Sequence, residues 1–255
     1  MWVNTLDPVF LSIGPVQIRY YGLVYFFGAL LAYFMLDRAR KKGTLTLTED
    51  EVSDFVLWLV AGMLVGARVF EVLVFSLPYY MSQPWWKVFA LWEGGMSFHG
   101  GFVGIVIAAY WFCRRKKLNF WTIADLLSPP LMFALFLGRI ANFINGELWG
   151  KVTSVSWCVV FPPAGEACRH PYPLYEALKR LGIFAWLIVL GRKECIPGVV
   201  FWNLVFFEGL GRFVLDFFKE DIIYLWLTPG QWLSLGMVAV SGYFLIKSLK
   251  KVDSE

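Results

Sequence analysis

FWTIADLLSPPLMFALFLGRIANFINGELWG, residues Phe120 to Gly150, is the stretch whose reading decides the fold. From Phe120 to Asn145 it is predominantly apolar, long enough for the roughly 20 residues that a helix needs to cross the hydrocarbon core of a bilayer. In lipid every backbone polar group must be satisfied internally, so a spanning segment of this kind is a helix. Six more apolar segments are arranged around it: Gln17–Leu36, Asp54–Phe75, Ser97–Cys113, Leu174–Leu190, Pro197–Phe217 and Pro229–Ile246. The expected fold is therefore all-α. It is one polytopic membrane domain over residues 1–255, with about seven transmembrane helices and small outer loops at about 76–96, 146–173 and 218–228.

Composition agrees with that reading. The chain is 58% hydrophobic, with 13 Trp and 24 Phe, against roughly 45–50% apolar residues in ordinary globular domains. The net charge of +4 is modest, and the basic residues sit in short clusters between apolar runs, which argues against nucleic acid as a partner. The first residues, MWVNTLDPVF, carry no positive segment ahead of the apolar run, so the first span is expected to be retained rather than cleaved.

The connectors set the expected orientation. Arg38, Arg40, Lys41 and Lys42 follow the first span, and Arg114, Arg115, Lys116 and Lys117 follow the third. Arg192 and Lys193 follow the fifth, and Lys247, Lys250 and Lys251 follow the seventh. The opposite connectors hold only Lys87, Lys151, Arg169 and Lys219. The positive-inside rule then puts the N-terminus outside and the C-terminus in the cytoplasm. Trp85, Trp86, Trp92, Trp149, Trp157, Trp226 and Trp232 fall at the outer boundary and read as an ordinary aromatic belt at headgroup level; for Trp85–Glu93 the alternative is a short interfacial helix.

The four cysteines include no CxxC and no cluster with metal spacing, and only two histidines are present, so a zinc site is not expected. Cys158 and Cys168 share an outer loop, where a disulfide can persist; the alternative is two unpaired outer thiols. Cys113 and Cys195 lie at the cytoplasmic edge.

Ionisable residues at mid-span are costly, about 2.5–3.5 kcal/mol each on insertion scales, and mark functional sites by default. Arg139, Asn142 and Gly146 share a helix face, Glu147 lies at its edge, and Gly150 follows if the helix continues. Small residues there let a ligand approach, and the planar fork of Arg139 matches phosphate. The alternative is an Arg–Glu pair that serves packing. Glu208, Arg212 and Asp216 repeat at i, i+4 and i+8, which stacks one arginine between two acids. His99 sits among glycines in GGMSFHGG, Gly94–Gly101, at the outer edge of the third span. Arg19 and Tyr21 open the first span there as well. Arg68 and Glu71 read as a structural pair, and Glu176, Lys179 and Arg180 as a group whose basic chains snorkel to the headgroups. Convergence of the other candidates at the outer leaflet, with arginines among them, points to a phospholipid substrate.

GRIANFINGELWG at Gly138–Gly150 resembles the signature of the bacterial prolipoprotein diacylglyceryl transferases. Further stretches are similar to the same family and stand in its order along nearly the whole chain. They are IRYYGLVY (Ile18–Tyr25), GGMSFHGG (Gly94–Gly101), HPYPLYEA (His170–Ala177), GLGRFVLDFF (Gly209–Phe218) and TPGQWLS (Thr228–Ser234). The resemblance implies transfer of the diacylglyceryl group of phosphatidylglycerol to the lipobox cysteine of a preprolipoprotein. A thioether forms and glycerol 1-phosphate leaves, without a cofactor. It also implies a monomer in the bacterial cytoplasmic membrane, with its site toward the outer leaflet.

By the same resemblance, the essential residues carry over onto Tyr21, His99, Arg139, Asn142, Glu147, Gly150 and Arg212. A thiol with pKa near ~8.5 needs a base, for which His99 is the candidate. Arg139 and Arg212 are assigned to the phosphate, Tyr21 and Asn142 to the headgroup or ester oxygens, and Glu147 to orienting Arg139 or the helix end. Three positions depart from the family's usual residues: Glu208 in place of Tyr, Asp216 in place of Glu, and Pro173 in place of Gln. A lipid transporter and a non-catalytic scaffold are the competing classes. A transporter needs a polar path to the cytoplasm, and a scaffold needs its charges mutually paired.

Overall fold

The computed structural model describes residues 2–14, 16–193 and 195–252. A long helix overlaps each of the seven apolar segments. In chain order these are α1 (Tyr20–Lys41), α2 (Glu49–Phe70), α4 (Phe98–Lys116), α5 (Phe120–Ile144), α6 (Tyr172–Leu190), α7 (Val199–Leu215) and α8 (Pro229–Val252), with a short α3 (Leu77–Met81) between α2 and α4. Four helical stretches are long and apolar enough to cross a membrane: Tyr20–Lys41, Glu49–Phe75, Phe120–Ile144 and Pro229–Lys250.

The described residues are mostly helical, as an all-α membrane protein requires, and the remaining regular structure is five short strands. Strands β2 (Val9–Ile13) and β3 (Val16–Arg19) form an antiparallel hairpin ahead of α1. Strand β1 (Trp2–Val3) pairs in parallel with β4 (Val159–Val160), which pairs antiparallel with β5 (Cys168–Arg169). These segments are not part of a helix, and short ladders satisfy backbone groups that would otherwise be left without partners. Trp85–Glu93, for which a short interfacial helix was the alternative to a plain aromatic belt, forms two 3-10 turns, Trp85–Phe89 and Leu91–Glu93.

The chain forms two compact units. The first joins Met1–Leu31 to Ala124–Glu255, and the second is Ala32–Ile123.

In the second unit the Thr48 side chain and Glu51 close a capping box at the start of α2, with Glu51 N donating to Thr48 Oγ1 at 3.2 Å and Thr48 N donating to Glu51 Oε2 at 2.8 Å. Ser97 caps α4 by accepting from Gly100 N at 3.3 Å. The two helices touch backbone to backbone. A Cβ on Gly66 would meet the Gly100 carbonyl oxygen, and one on Gly62 would lie 2.7 Å from the Gly104 carbonyl oxygen. Glycine is required at these positions for close approach, as in membrane helix pairs that associate through small residues.

In the first unit Met132, Ile183, Leu187, Val200 and Leu204 of α5, α6 and α7 form a buried apolar cluster. Asp125 of α5 accepts from Gly198 N at 2.7 Å and Phe201 N at 2.8 Å, capping α7 across the bundle. Thr228 and Gln231 make a capping box for α8, with bonds of 2.9 and 3.1 Å. Gln231 also donates to the Phe213 carbonyl at 3.1 Å, which ties the start of α8 to the end of α7. Pro173 stands in the first turn of α6, where a helix has no use for its N–H, so the departure from glutamine is structurally neutral there.

Candidate active site

Helix α5 ends at Ile144, and Gly146 reverses the chain with φ +66°. Hence Gly146 and Gly150 do not continue the face of Arg139 and Asn142. The turn instead carries Glu147 back over the end of α5. Its Oε2 accepts from Tyr21 Oη at 2.8 Å and Asn142 Nδ2 at 3.1 Å, and its Oε1 accepts from Asn145 Nδ2 at 3.2 Å. Asn142 Nδ2 also donates to Tyr21 Oη. Three residues expected from the sequence to bind substrate, Tyr21, Asn142 and Glu147, are thus one hydrogen-bonded group. Asn145 belongs to it and was missed; its place two residues before Glu147 was the available signal.

Arg139 does not pair with Glu147. Its Nη2 lies 3.6 Å from Oε2 of Glu176, a fully buried carboxylate. Arg180 Nη2 is 3.1 Å from the same oxygen, and Lys179 Nζ is 2.9 Å from Glu176 Oε1. Glu208 completes the cluster, 2.7 Å from Arg180 Nη2 and 3.1 Å from Lys179 Nζ. Arg180 Nη1 donates to the Leu135 carbonyl at 3.1 Å. Lys179 and Arg180 therefore do not snorkel outward. The two acids and the Leu135 carbonyl hold them inside, and Arg180 is only 6% exposed. The i, i+3, i+4 spacing of Glu176, Lys179 and Arg180 was the legible sign. The cluster has three cations for two carboxylates, one negative charge short of neutral.

Arg212 is not stacked between two acids, because Glu208 turns to Lys179 and Arg180. Its remaining acid is Asp216, 3.6 Å from Nε, a separation longer than a hydrogen bond. Asp216 is held by Tyr172 Oη at 2.5 Å and Thr228 Oγ1 at 3.4 Å. Arg212 Nε is buried and has no hydrogen-bond acceptor among the described residues. Gly230 leaves room for this arginine: a Cβ there would lie 3.1 Å from Arg212 Nη2.

Gly150 is buried, and the chain itself fills the space its missing side chain leaves. A Cβ would meet the Phe218 carbonyl oxygen at 2.6 Å, His170 Cβ at 2.8 Å and the His170 carbonyl oxygen at 2.9 Å. Its N–H donates to the His170 carbonyl at 3.0 Å. The geometry makes Gly150 a point of close chain packing rather than of ligand approach. His170 Nδ1 lies 3.1 Å from Tyr175 Oη. Cys158 and Cys168 form a disulfide in this loop.

In the second unit His99 is the second residue of α4 and is exposed, with its ring 5.8 Å from that of Phe98. The chain entering that helix is held by Arg68, which was expected to pair with Glu71. Arg68 instead donates to the carbonyls of Lys87 at 2.6 Å, Val88 at 2.7 Å, Gly94 at 2.6 Å and Gly95 at 2.9 Å. A guanidinium has five donors in a fixed fork, and here they gather the loop before His99. Glu71 accepts from Ser76 Oγ at 2.8 Å.

Comparison with known proteins bears on these groups. The family model for prolipoprotein diacylglyceryl transferase matches residues 8–247. A protein of Geobacter sulfurreducens named phosphatidylglycerol–prolipoprotein diacylglyceryl transferase is 44% identical over 242 residues, covering 94% of this chain and 92% of the relative. Proteins of the same name from Pseudomonas fluorescens and Sinorhizobium medicae are 41% and 39% identical, each covering 91% of this chain and 90% and 86% of the relative. With a match over nearly its whole length, this chain belongs to the prolipoprotein diacylglyceryl transferase family.

Proposed function

We propose that this protein transfers the sn-1,2-diacylglyceryl group of phosphatidylglycerol to the lipobox cysteine thiol of a preprolipoprotein. The observation that carries the reading, beyond family membership, is the largely enclosed cluster of Arg139, Lys179 and Arg180 with only the buried Glu176 and Glu208 to balance it. One phosphodiester supplies the missing charge. The Arg212 Nε–H, buried without an acceptor among the described residues, is a second donor suited to a phosphate oxygen.

In the proposed reaction the cysteine sulfur attacks the glyceryl carbon that bears the phosphate. The S–C bond forms as the C–O bond breaks, and its electron pair leaves on the phosphate oxygen of glycerol 1-phosphate. His99 takes the thiol proton. Arg139 and Arg212 bind the phosphodiester and stabilise the charge growing on the departing oxygen. Glu147 holds Tyr21 and Asn142 in place, and these two orient the headgroup or ester oxygens. Gly150 acts by letting the loop around His170 close tightly.

The setting is one seven-span domain in the bacterial cytoplasmic membrane, with its N-terminus outside, its C-terminus in the cytoplasm and its site toward the outer leaflet. The clustering of basic connectors supports that orientation. The decisive experiment supplies purified protein with labelled phosphatidylglycerol and a lipobox peptide. A thioether-linked diacylglyceryl peptide and glycerol 1-phosphate are expected. No product from a folded preparation overturns the reading.

A further inference from the structure

We propose that the cavity between the N-terminal part of α2 and the C-terminal part of α4 binds a phospholipid headgroup that carries both a phosphate and a primary ammonium, with Arg115 and Lys116 on the phosphate and Asp54 on the ammonium. The cavity measures about 410 Å³ and is lined by Asp54, Trp58, Trp111, Phe112, Arg115 and Lys116. All six belong to the second unit, so the site does not depend on the transferase reading.

The sequence builds it simply. On α2, Asp54 stands one turn before Trp58; on α4, Trp111 stands one turn before Arg115. At the cavity the first turns of α2 meet the last turns of α4, since Glu51 of α2 pairs with Lys116 of α4. Both charged positions therefore lie at the same end and both tryptophans lie one turn farther in. The two indoles are 4.9 Å apart, and Phe112 beneath them is only 5% exposed. Charges at a mouth with indoles behind them match an amphiphile entering from the interface, where tryptophan is at home.

The cations are held ready. The Arg115 guanidinium lies 4.5 Å from the centre of the Trp111 ring, which fixes its plane and leaves its N–H edge free. Lys116 gives one of its three donors to Glu51 and keeps two. Among the described residues neither Asp54 nor Arg115 has a hydrogen bond or ion pair. A purely anionic headgroup would satisfy the cations and be repelled by Asp54. A quaternary ammonium has no N–H for Asp54. Phosphoethanolamine answers both.

The test is native mass spectrometry of the delipidated full-length protein, titrated separately with phosphatidylethanolamine, phosphatidylcholine and phosphatidylglycerol of the same acyl chains. Phosphatidylethanolamine is expected to bind at least tenfold more tightly than phosphatidylcholine. Asp54→Asn should remove that preference, and Arg115→Gln should weaken both lipids at least tenfold. Asp54→Glu should retain the preference, which separates loss of charge from damage to the fold. Equal binding of the two lipids by the unaltered protein overturns the proposal, as does wild-type phosphatidylethanolamine binding in both Asp54→Asn and Arg115→Gln. Phosphatidylglycerol binding that depends on Arg115 and exceeds that of phosphatidylethanolamine would mean a plain anion site, and overturns it too.

Discussion

The phenol of Tyr21 donates a 2.8 Å hydrogen bond to Oε2 of Glu147, joining residues 126 positions apart. Asn142 donates to both, so the first turn of α1 and the end of α5 are locked by one carboxylate. Glu147 can accept but not donate while ionised, and three side-chain donors converge on it. Its role in this arrangement is to fix the donors rather than to hold Arg139.

Tyr21→Phe removes the strongest of those donors. A hydrogen bond to a charged group is worth roughly 1.5–3 kcal/mol. The variant should lower kcat/KM in the peptide-lipidation assay by roughly ten- to hundredfold. Glu147→Ala should lose at least a similar factor, and adding Tyr21→Phe to it should cost little more, because the contact is already broken. Full additivity of the two losses would show that the residues act separately.

Removing Glu176 strips the buried cluster of one of its two acids. Breaking a buried ion group from one side costs about 3–5 kcal/mol. Glu176→Gln should therefore show a clearly lowered melting temperature. Adding Arg139→Gln restores the original excess of one positive charge among Lys179, Arg180 and Glu208, so stability should recover in large part while lipidation stays lost. A double variant no more stable than Glu176→Gln would mean that charge balance is not what Glu176 supplies.

Gly150→Ala forces a methyl group against the carbonyl oxygens of Phe218 and His170, 2.6 and 2.9 Å from where its carbon would sit. These are backbone atoms and cannot swing aside as a flexible side chain would. Overpacking of this kind costs about 1–3 kcal/mol. The expected result is a destabilised protein in thermal melting whose remaining folded fraction has reduced lipidation activity. Wild-type melting with reduced activity would instead return Gly150 to a ligand-approach role.

The helices were legible because long apolar runs permit little else: a helix overlaps each predicted segment, and four helical stretches are long and apolar enough to cross a membrane. Pairing was not legible. Arg139 has Glu147 eight residues away in sequence, yet it faces Glu176 on another helix. Glu208 and Arg212 are four residues apart and still choose different partners, since Lys179 and Arg180 approach Glu208 from α6. Spacing along one helix fixes which residues share a face, but not which neighbouring helix meets that face. Arg68 shows the same limit: Glu71 was near in sequence, but a loop rich in open carbonyls gave its five donors better partners. Strands β1, β4 and β5 escaped notice because they have only two residues each, too few for a periodic pattern, while most of β3 was absorbed into the apolar segment Gln17–Leu36.

His170 makes stability depend on pH. Its ring packs 5.2 Å from that of Phe218, and partial burial holds its pKa below the ordinary value. The folded protein thus binds this proton less readily than the unfolded chain, whose histidine titrates near ~6.5. Stability from the neutral ring is fully present above that value and drains away as pH falls from it through the lower folded value. Asp221 acts in the same direction in a separate range. Its hydrogen bond with Lys219 lowers its pKa, so its contribution is present above the ordinary carboxylate value near ~3.9 and is lost below it. Melting temperature followed from pH 7.5 downward should fall in two limbs. His170→Gln should flatten the limb that begins near pH ~6.5 and leave the lower one in place. An unchanged upper limb in that variant would assign the neutral-range sensitivity to another group.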